Sequence, residues 1–364
     1  VILLTYRYLI LIDGTVFKGK PFGHPEAGTG EIVFNTACNS YPQVLTDNSY
    51  AGQIVVMTSS HIGTYGCRSE FFQHLSQKPL IEGMVVKKLY TGAVPAGAVS
   101  LDELMKLWQI PGVKDVDTRH LAVHIREHGA MYAAMVDTEE EPDAALIKET
   151  VDRLLSLAPM EERDFISQVS QSGSSFSDTS KGKRVLVVDY GAKRAIIESI
   201  SHLEVTVDSL SADEFLCASE HEILSYDVLF LSNGPGDPRF LRSHVEKIRS
   251  LITKMAVRGI CLGHQLIALA LGARVDKMTY GHHGSNHPVL NRERNTVCIT
   301  SQNHTYTVEE SSIPHDCRVW FENLNDGTVE GLISSSKNVM CTQFHPESAP
   351  GTHDALYVFA DFLA

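Results

Sequence analysis

No Cys-x-x-Cys pair occurs in the chain, and its seven cysteines fall at irregular spacings. That argues against a disulfide framework and against a cysteine-based zinc site, and a reducing cytoplasm fits best. Basic residues are in the minority, 31 Lys and Arg against 44 Asp and Glu, for a formal net charge of −13. That balance argues against broad binding to nucleic acid or to an anionic membrane. Small anionic substrates are not excluded, because local dipoles hold them. There is no Gly-x-x-x-x-Gly-Lys-Ser/Thr phosphate loop, so the chain is not expected to use ATP itself. The apolar-rich start, residues 1–12, is too short to span a bilayer, is interrupted by Arg7 and lacks a small-residue cleavage pattern. It reads as a strand ending in the turn Asp13-Gly14. Internal repeats are absent.

A length of 364 residues is enough for two domains, each with a substantial core. A Ser/Gly-rich stretch, 167–183, divides them as a linker or long exposed connection. Before it, 1–166 reads as mixed α/β. Strands are expected near 9–12, 31–35, 54–58 and 84–86, and helices near 101–109, 118–128 and 142–157. After it, 184–364 alternates: strand 184–189, helix 192–203, strand 204–207, helix 212–224, strand 228–231, helix 240–254, then a strand and helix around Cys261. That alternation implies an open, mostly parallel sheet with helices on both faces, its site at the carboxyl ends of the strands. Further strands are expected at 297–301, 319–321, 331–333 and 339–344, with a last helix near 354–363.

The chemistry concentrates at those strand ends. Gly259-Ile260-Cys261-Leu262-Gly263 lies between an apolar run and a helical pattern ended by Gly272. This is the cysteine form of a nucleophile elbow. The sulfur projects at the strand end, and the N–H after it is placed for an oxyanion. A helix starting just past a cysteine favours the thiolate, which is the nucleophile. Near the C-terminus stands His345-Pro346-Glu347. Proline drives the residue before it into extended backbone, where i and i+2 share a face. His345 can then act as base toward Cys261, with Glu347 orienting the imidazole. Between these in function, Asn233-Gly234-Pro235-Gly236 follows strand 228–231 as a turn whose bare N–H groups suit an oxyanion or a carboxylate.

These three motifs resemble the class I glutamine amidotransferases. The first half narrows the resemblance. Phe34-Asn35-Thr36-Ala37, Tyr41-Pro42, Leu45-Thr46-Asp47-Asn48-Ser49-Tyr50, His61-Ile62-Gly63-Thr64-Tyr65-Gly66, Asp117-Thr118-Arg119-His120-Leu121 and Arg126-Glu127-His128-Gly129 are similar to the small subunits of carbamoyl phosphate synthetases. So are Tyr190-Gly191-Ala192-Lys193, Tyr280 to Gly284 with Asn286-His287, and Ser301-Gln302-Asn303-His304. The resemblance runs from about Leu11 to the end of the chain. It implies a glutaminase with Cys261 as nucleophile, His345 as base and Glu347 as its partner. It implies oxyanion donors at Leu262 and Gly234, and glutamine contacts at Ser49, Gly234, Gly236, Gln265, Asn303, Thr305 and Tyr306. It also implies L-glutamine as substrate and a large synthetase subunit, in a heterodimer or higher assembly. That subunit uses ATP and Mg and makes carbamoyl phosphate from bicarbonate, for pyrimidine or arginine synthesis. No metal or cofactor is expected in this chain.

Three positions depart from the family's pattern. Thr305, Ser40 and Ser285 stand where glycine is usual. A β-branched Thr305 would be costly if its backbone needed positive φ. His282, His283 and His287 have imidazole donors but no carboxylate or cysteine at matching spacing, so they read as a polar loop and not as a metal site. Cys298, Cys317 and Cys341 read as core. Two other functions fit parts of the pattern: another cysteine hydrolase on a related scaffold, and a catalytically idle regulatory subunit. The intact Cys261, His345 and Glu347 argue against the second.

Overall fold

The computed structural model describes residues 5–74, 79–171, 173–177 and 182–364. The chain forms two compact units, one of Val1–Phe72 with Lys78–Met160, the other of Gln73–Gln77 with Glu161–Ala364.

The first unit is mixed α/β, as expected, and its strands form a closed seven-stranded barrel. Its strands are β1 (Tyr6–Leu11), β2 (Val16–Gly23), β3 (Thr29–Asn35), β4 (Gln53–Met57), β5 (Gly83–Val86), β6 (Pro111–Lys114) and β7 (Met131–Thr138), in the order β1-β2-β6-β5-β4-β3-β7. Closure leaves no unpaired edge. Helices α1 (Tyr41–Leu45), α2 (Leu101–Leu107), α3 (Thr118–His128) and α4 (Ala144–Leu155) surround it. The expected helix at 118–128 is found with those bounds. Strands β2, β6 and β7 were not expected; the apolar residues of β2 and β6 are broken by Gly, Lys and Pro. Asp117 caps α3 through a bond to His120 N (3.1 Å), and Ser100 forms a reciprocal cap with Glu103 on α2.

The second unit is built on a ten-stranded sheet. Its strands are β8 (Ser175–Ser177), β9 (Arg184–Asp189), β10 (Thr206–Ser211), β11 (Val228–Leu231), β12 (Ala256–Ile260), β13 (Val275–Asn291), β14 (Thr296–Val308), β15 (Arg318–Asn323), β16 (Val329–Ser334) and β17 (Val339–Thr342). The order is β14-β13-β15-β16-β17-β12-β11-β9-β10-β8. The expected mostly parallel sheet is corrected to a mixed one: only β17-β12-β11-β9-β10 pair in parallel, while β8 and the β13–β16 extension, built from hairpins with no crossover helices, are antiparallel. The central parallel strands β9 and β11 are apolar-rich on both faces, as burial beneath two helix layers requires. Alternate residues divide between the layers: Leu186 and Val188 face one core, Val185 and Val187 the other. The first core is closed by α7 (Ala212–Cys217), α8 (Glu220–Ile223), α9 (Arg242–Leu251) and α10 (Leu262–Leu271). The second is closed by α6 (Arg194–Ser201) and α11 (Tyr357–Leu363).

The linker alternative for 167–183 and the loop reading of the histidines are also corrected here, while residues 173–176 are exposed as in a long exposed connection. The stretch 167–183 is built into the second unit in its described residues. Helix α5 (Ile166–Val169) enters it, β8 pairs with β10, and Ser170 Oγ donates to Asp189 O (2.5 Å) and accepts from Ala212 N (2.8 Å). Serines that read as linker composition are used as hydrogen-bonding partners. Residues 172 and 178–181 lie outside the described residues. The histidine-rich "loop" is instead the middle of the 17-residue strand β13, with His282 and His283 buried. Register shifts between Lys277 and His282 and between Gly284 and His287 mark bulges that disguise its period.

Candidate active site

Strand β12 ends at Ile260 and α10 begins at Leu262, so Cys261 alone makes the turn. Its backbone takes φ 55° and ψ −105°, a strained conformation for a residue with a Cβ. The flanking glycines are needed for close packing and not for their backbone angles: neither is among the positive-φ glycines. A Cβ on Gly259 would lie 2.7 Å from the carbonyl carbon of Gly263, and one on Gly263 would press into the Leu231 carbonyl oxygen. They let α10 lie against β11 and β12. Cys261 N donates to Thr342 O (2.8 Å), tying the elbow to β17, and the buried Sγ donates to Asn303 O (3.4 Å).

The register brings the second motif alongside. Gly259 pairs with Cys341 and Ile260 with Thr342, so His345 leaves β17 at the same sheet edge as Cys261 leaves β12. His345 N donates to Ser301 O (2.9 Å) on β14, which holds the chain extended there. Nδ1 of His345 contacts Glu347 Oε1 at 2.7 Å, and Nε2 is buried without a hydrogen-bond partner. A carboxylate accepts, so Nδ1 carries the hydrogen and Nε2 of the neutral ring is a bare base.

Lys193 completes this group, and no role was assigned to it from sequence. Its Nζ lies 2.8 Å from the same Glu347 Oε1, with both side chains essentially unexposed. Burial alone would raise the Glu347 pKa; Lys193 and then His345 outweigh it and hold the carboxyl down at about 2. Glu347 is therefore an anion throughout the neutral range. Lys193 is placed by the strand end before it. Asp189 Oδ1 accepts from Gly191 N and Ala192 N (both 2.7 Å), and Lys193 N donates to Asn233 Oδ1 (3.0 Å). A lysine straight after a buried strand and a Gly-Ala turn was the available signal.

The Asn233 loop is fixed by the same contacts. Ser232 Oγ accepts from Tyr190 N (2.9 Å) and donates to Asn233 O (2.8 Å). A Cβ on Gly234 would run into the Tyr190 carbonyl, and Gly236 has φ +91°. Beyond it, Asp237 is clamped by Arg239, whose Nη2 comes within 2.6 Å, and the Arg239 guanidinium lies over the Tyr306 ring at 5.4 Å. Gln265 Nε2, one turn into α10, donates to Tyr306 O and to Gln343 Oε1, both at 3.0 Å. Gln343 was likewise missed.

Cys261, Leu262, Gly234, Gly236, Gln265, Asn303, Thr305, Tyr306, His345 and Glu347 thus all belong to the second unit. Ser49 belongs to the first, half-buried in the turn Asn48–Tyr50, where its N–H donates to Asp47 Oδ1 (2.9 Å). Thr305 sits within β14 and is not among the positive-φ residues, so a β-branched side chain meets no strain there. Ser40 does occupy the left-handed region, at φ 66° and ψ 26°, where glycine is at no disadvantage.

Comparisons with known proteins converge. The family described as glutamine amidotransferase class-I matches residues 186–364, and the carbamoyl-phosphate synthase small chain CPSase domain matches 9–135. The carbamoyl phosphate synthase small chain of Streptococcus pyogenes serotype M3 is 40% identical over 361 residues, 99% of this chain and 97% of that one. The carbamoyl phosphate synthase pyrimidine-specific small chain of Bacillus subtilis is 38% identical over 360 residues, 98% and 95%. That of Lactiplantibacillus plantarum is 39% identical over 359 residues, 98% and 95%.

Proposed function

Because the chain belongs to the carbamoyl phosphate synthase small-chain family, we propose that it hydrolyses glutamine to glutamate and ammonia through a Cys261 thioester and supplies the ammonia to a large synthetase chain. The observation that carries this reading is the buried His345, its Nδ1 held by an anionic Glu347 and its Nε2 bare, at the strand edge where Cys261 turns.

Each residue then has one task. His345 Nε2 takes the Cys261 thiol proton, and the sulfur attacks the amide carbon of the glutamine side chain. The oxyanion is stabilised by the N–H groups of Leu262 and Gly234, which rigid backbone holds in place before reaction. The protonated His345 gives its proton to the departing nitrogen, and ammonia leaves. Water, deprotonated by His345, attacks the thioester carbon; glutamate leaves and the Cys261 thiol is restored. Glu347 stabilises the imidazolium in both halves, and Lys193 keeps Glu347 ionised. Gly236, Gln265, Asn303, Thr305, Tyr306 and Ser49 recognise the rest of glutamine. The large chain uses ATP and Mg to make carbamoyl phosphate from bicarbonate and this ammonia. Two of the relatives carry pyrimidine-specific names, which favours the pyrimidine branch.

Steady-state glutamate release, with and without the large chain, bicarbonate and ATP, tests the proposal. Slow release by the isolated chain, accelerated by its partner, is expected. A rate unchanged by the partner, with no complex on size-exclusion chromatography, points instead to a free-standing hydrolase.

A further inference from the structure

Behind the β14 residues that contact Cys261 and Gln265 lies a buried charge cluster that the proposed mechanism leaves unused. Its centre is the fully buried Glu330 on β16. No lysine or arginine comes within ion-pair distance of its carboxylate among the described residues; the groups that do are His282 Nδ1 at 3.5 Å and His304 Nε2 at 3.9 Å. Asn323 Nδ2 donates to Glu330 Oε1 (3.0 Å), and Oε2 has no partner. His282 turns its other nitrogen, Nε2, to Asp326 Oδ2 at 2.8 Å, so both of its ring nitrogens face carboxylates. The remaining groups around it are Asn323, whose Nδ2 lies 3.4 Å from His282 Nδ1, and three imidazoles: the His287 and His304 rings at 4.9 and 5.0 Å, and His283 next to it on β13.

The strand register links this cluster to the candidate active site. His282 pairs with His304 across β13–β14, and His283 with Asn303. His304 Nδ1 donates to Tyr306 O (2.8 Å), the carbonyl that also accepts from Gln265. His283 Nδ1 meets Asn303 Oδ1 at 2.9 Å, on the residue whose carbonyl accepts from Cys261 Sγ. Building on the glutaminase reading, we propose that His282 is a positioning residue for glutamine binding. As an imidazolium it neutralises buried Glu330 and so holds His304, and with it the Tyr306 and Asn303 backbone, in the geometry that receives glutamine.

The electrostatics agree on where the charge resides. Burial pushes the His282 pKa down, but Asp326 and Glu330 overcome it and raise it to about 9. Burial first, and then His282 itself, hold His304 well below the usual histidine range, and burial holds His287 at about 4. Of His282, His287 and His304, the one held protonated opposite Glu330 is therefore His282. Its contribution is complete below the usual histidine pKa and is lost as pH rises through about 9.

The test compares wild type, His282→Gln, Glu330→Gln and the double variant in the complex with the large chain. An unpaired buried carboxylate disrupts its surroundings, so His282→Gln should raise the glutamine KM about tenfold while kcat changes less than about threefold. Removing the orphaned charge as well should bring KM back to within about threefold of wild type. The wild-type KM should rise above pH 9, and that of the double variant should not. Imidazole nitrogen NMR of the folded chain at neutral pH should find His282 protonated on both nitrogens; this readout needs neither activity nor a folded variant. A neutral His282, an unchanged KM in His282→Gln, or no rescue in the double variant overturns the proposal. So does a divalent metal bound stoichiometrically at His282, His304 and Glu330, since that requires a bare Nδ1. Absence of glutamine turnover in wild type refutes the glutaminase reading instead, and the NMR result still decides the protonation of His282.

Discussion

Replacing Lys193 with Met keeps most of the stem and removes the ammonium that neutralises Glu347. The contact is 2.8 Å between side chains that are 1% and 0% exposed, so solvent cannot substitute for it. Holding the Glu347 carboxyl at about 2 instead of in the usual carboxylate range is a linkage of about 3 kcal/mol at neutral pH. Removing one partner of a buried ion pair typically costs about 3–5 kcal/mol, which agrees. That is a large fraction of the roughly 5–15 kcal/mol that holds a domain folded. Urea unfolding of wild type and Lys193→Met should therefore differ by about 3 kcal/mol near neutral pH. The pH dependence has a fixed sign. A depressed carboxyl contributes above its unfolded pKa, near 4.3, and the contribution fades as pH falls toward 2, so the gap between the two proteins should close in acid. Glutamine turnover should fall with it, because Glu347 no longer orients His345 as a secure anion. A stability loss under about 1 kcal/mol, or one independent of pH, would refute the assignment of Lys193 as the counter-ion.

Other perturbations give equally definite outcomes. Cys261→Gly should abolish glutamine hydrolysis yet raise stability by about 1 kcal/mol or more, since glycine relieves φ 55°, ψ −105°; thermal unfolding that shows no gain contradicts the strained elbow. Gly263→Ala forces a Cβ into the Leu231 carbonyl and should cost about 1–3 kcal/mol in the same assay, with activity lost as α10 shifts. Ser40→Gly, at φ 66° in the first unit, should stabilise by about 1 kcal/mol, and a neutral or destabilising effect would place a hidden role on the serine side chain. Ser49→Ala should raise the glutamine KM more than it lowers kcat, because a hydroxyl at the distant end of the substrate contributes uniform binding; the reverse pattern would move Ser49 into the chemistry.

Residues that act through local backbone chemistry were legible in the sequence. Gly-x-Cys-x-Gly and His-Pro-Glu each specify their own turn, and strands 184–189 and 228–231 are continuous apolar runs whose expected bounds match β9 and β11. Long-range partners were not. Glu330 and Asp326 come from a hairpin more than forty residues past His282, so a search for carboxylates at nearby spacing missed them. β13 was hidden because Gly281, Gly284 and its histidines look like loop composition, while bulges break the alternation that would reveal a strand. Barrel closure in the first unit depends on the register of short strands such as β6, four residues beginning with Pro111, and no local pattern encodes it. Lys193 carried only the local signal of its place after a buried strand and a Gly-Ala turn; the contacts of Asp189 and Asn233 that aim it inward are not legible there.

The central claim is a covalent glutamyl thioester on Cys261, and trapping it is the direct test. Wild-type chain in complex with the large chain is mixed with glutamine, quenched in acid during steady-state turnover, digested and analysed by mass spectrometry. A glutamyl adduct confined to the peptide containing Cys261, and absent together with glutamate release in Cys261→Ser, is the predicted result. Turnover that persists in Cys261→Ser, or an adduct on a different residue, would contradict the account.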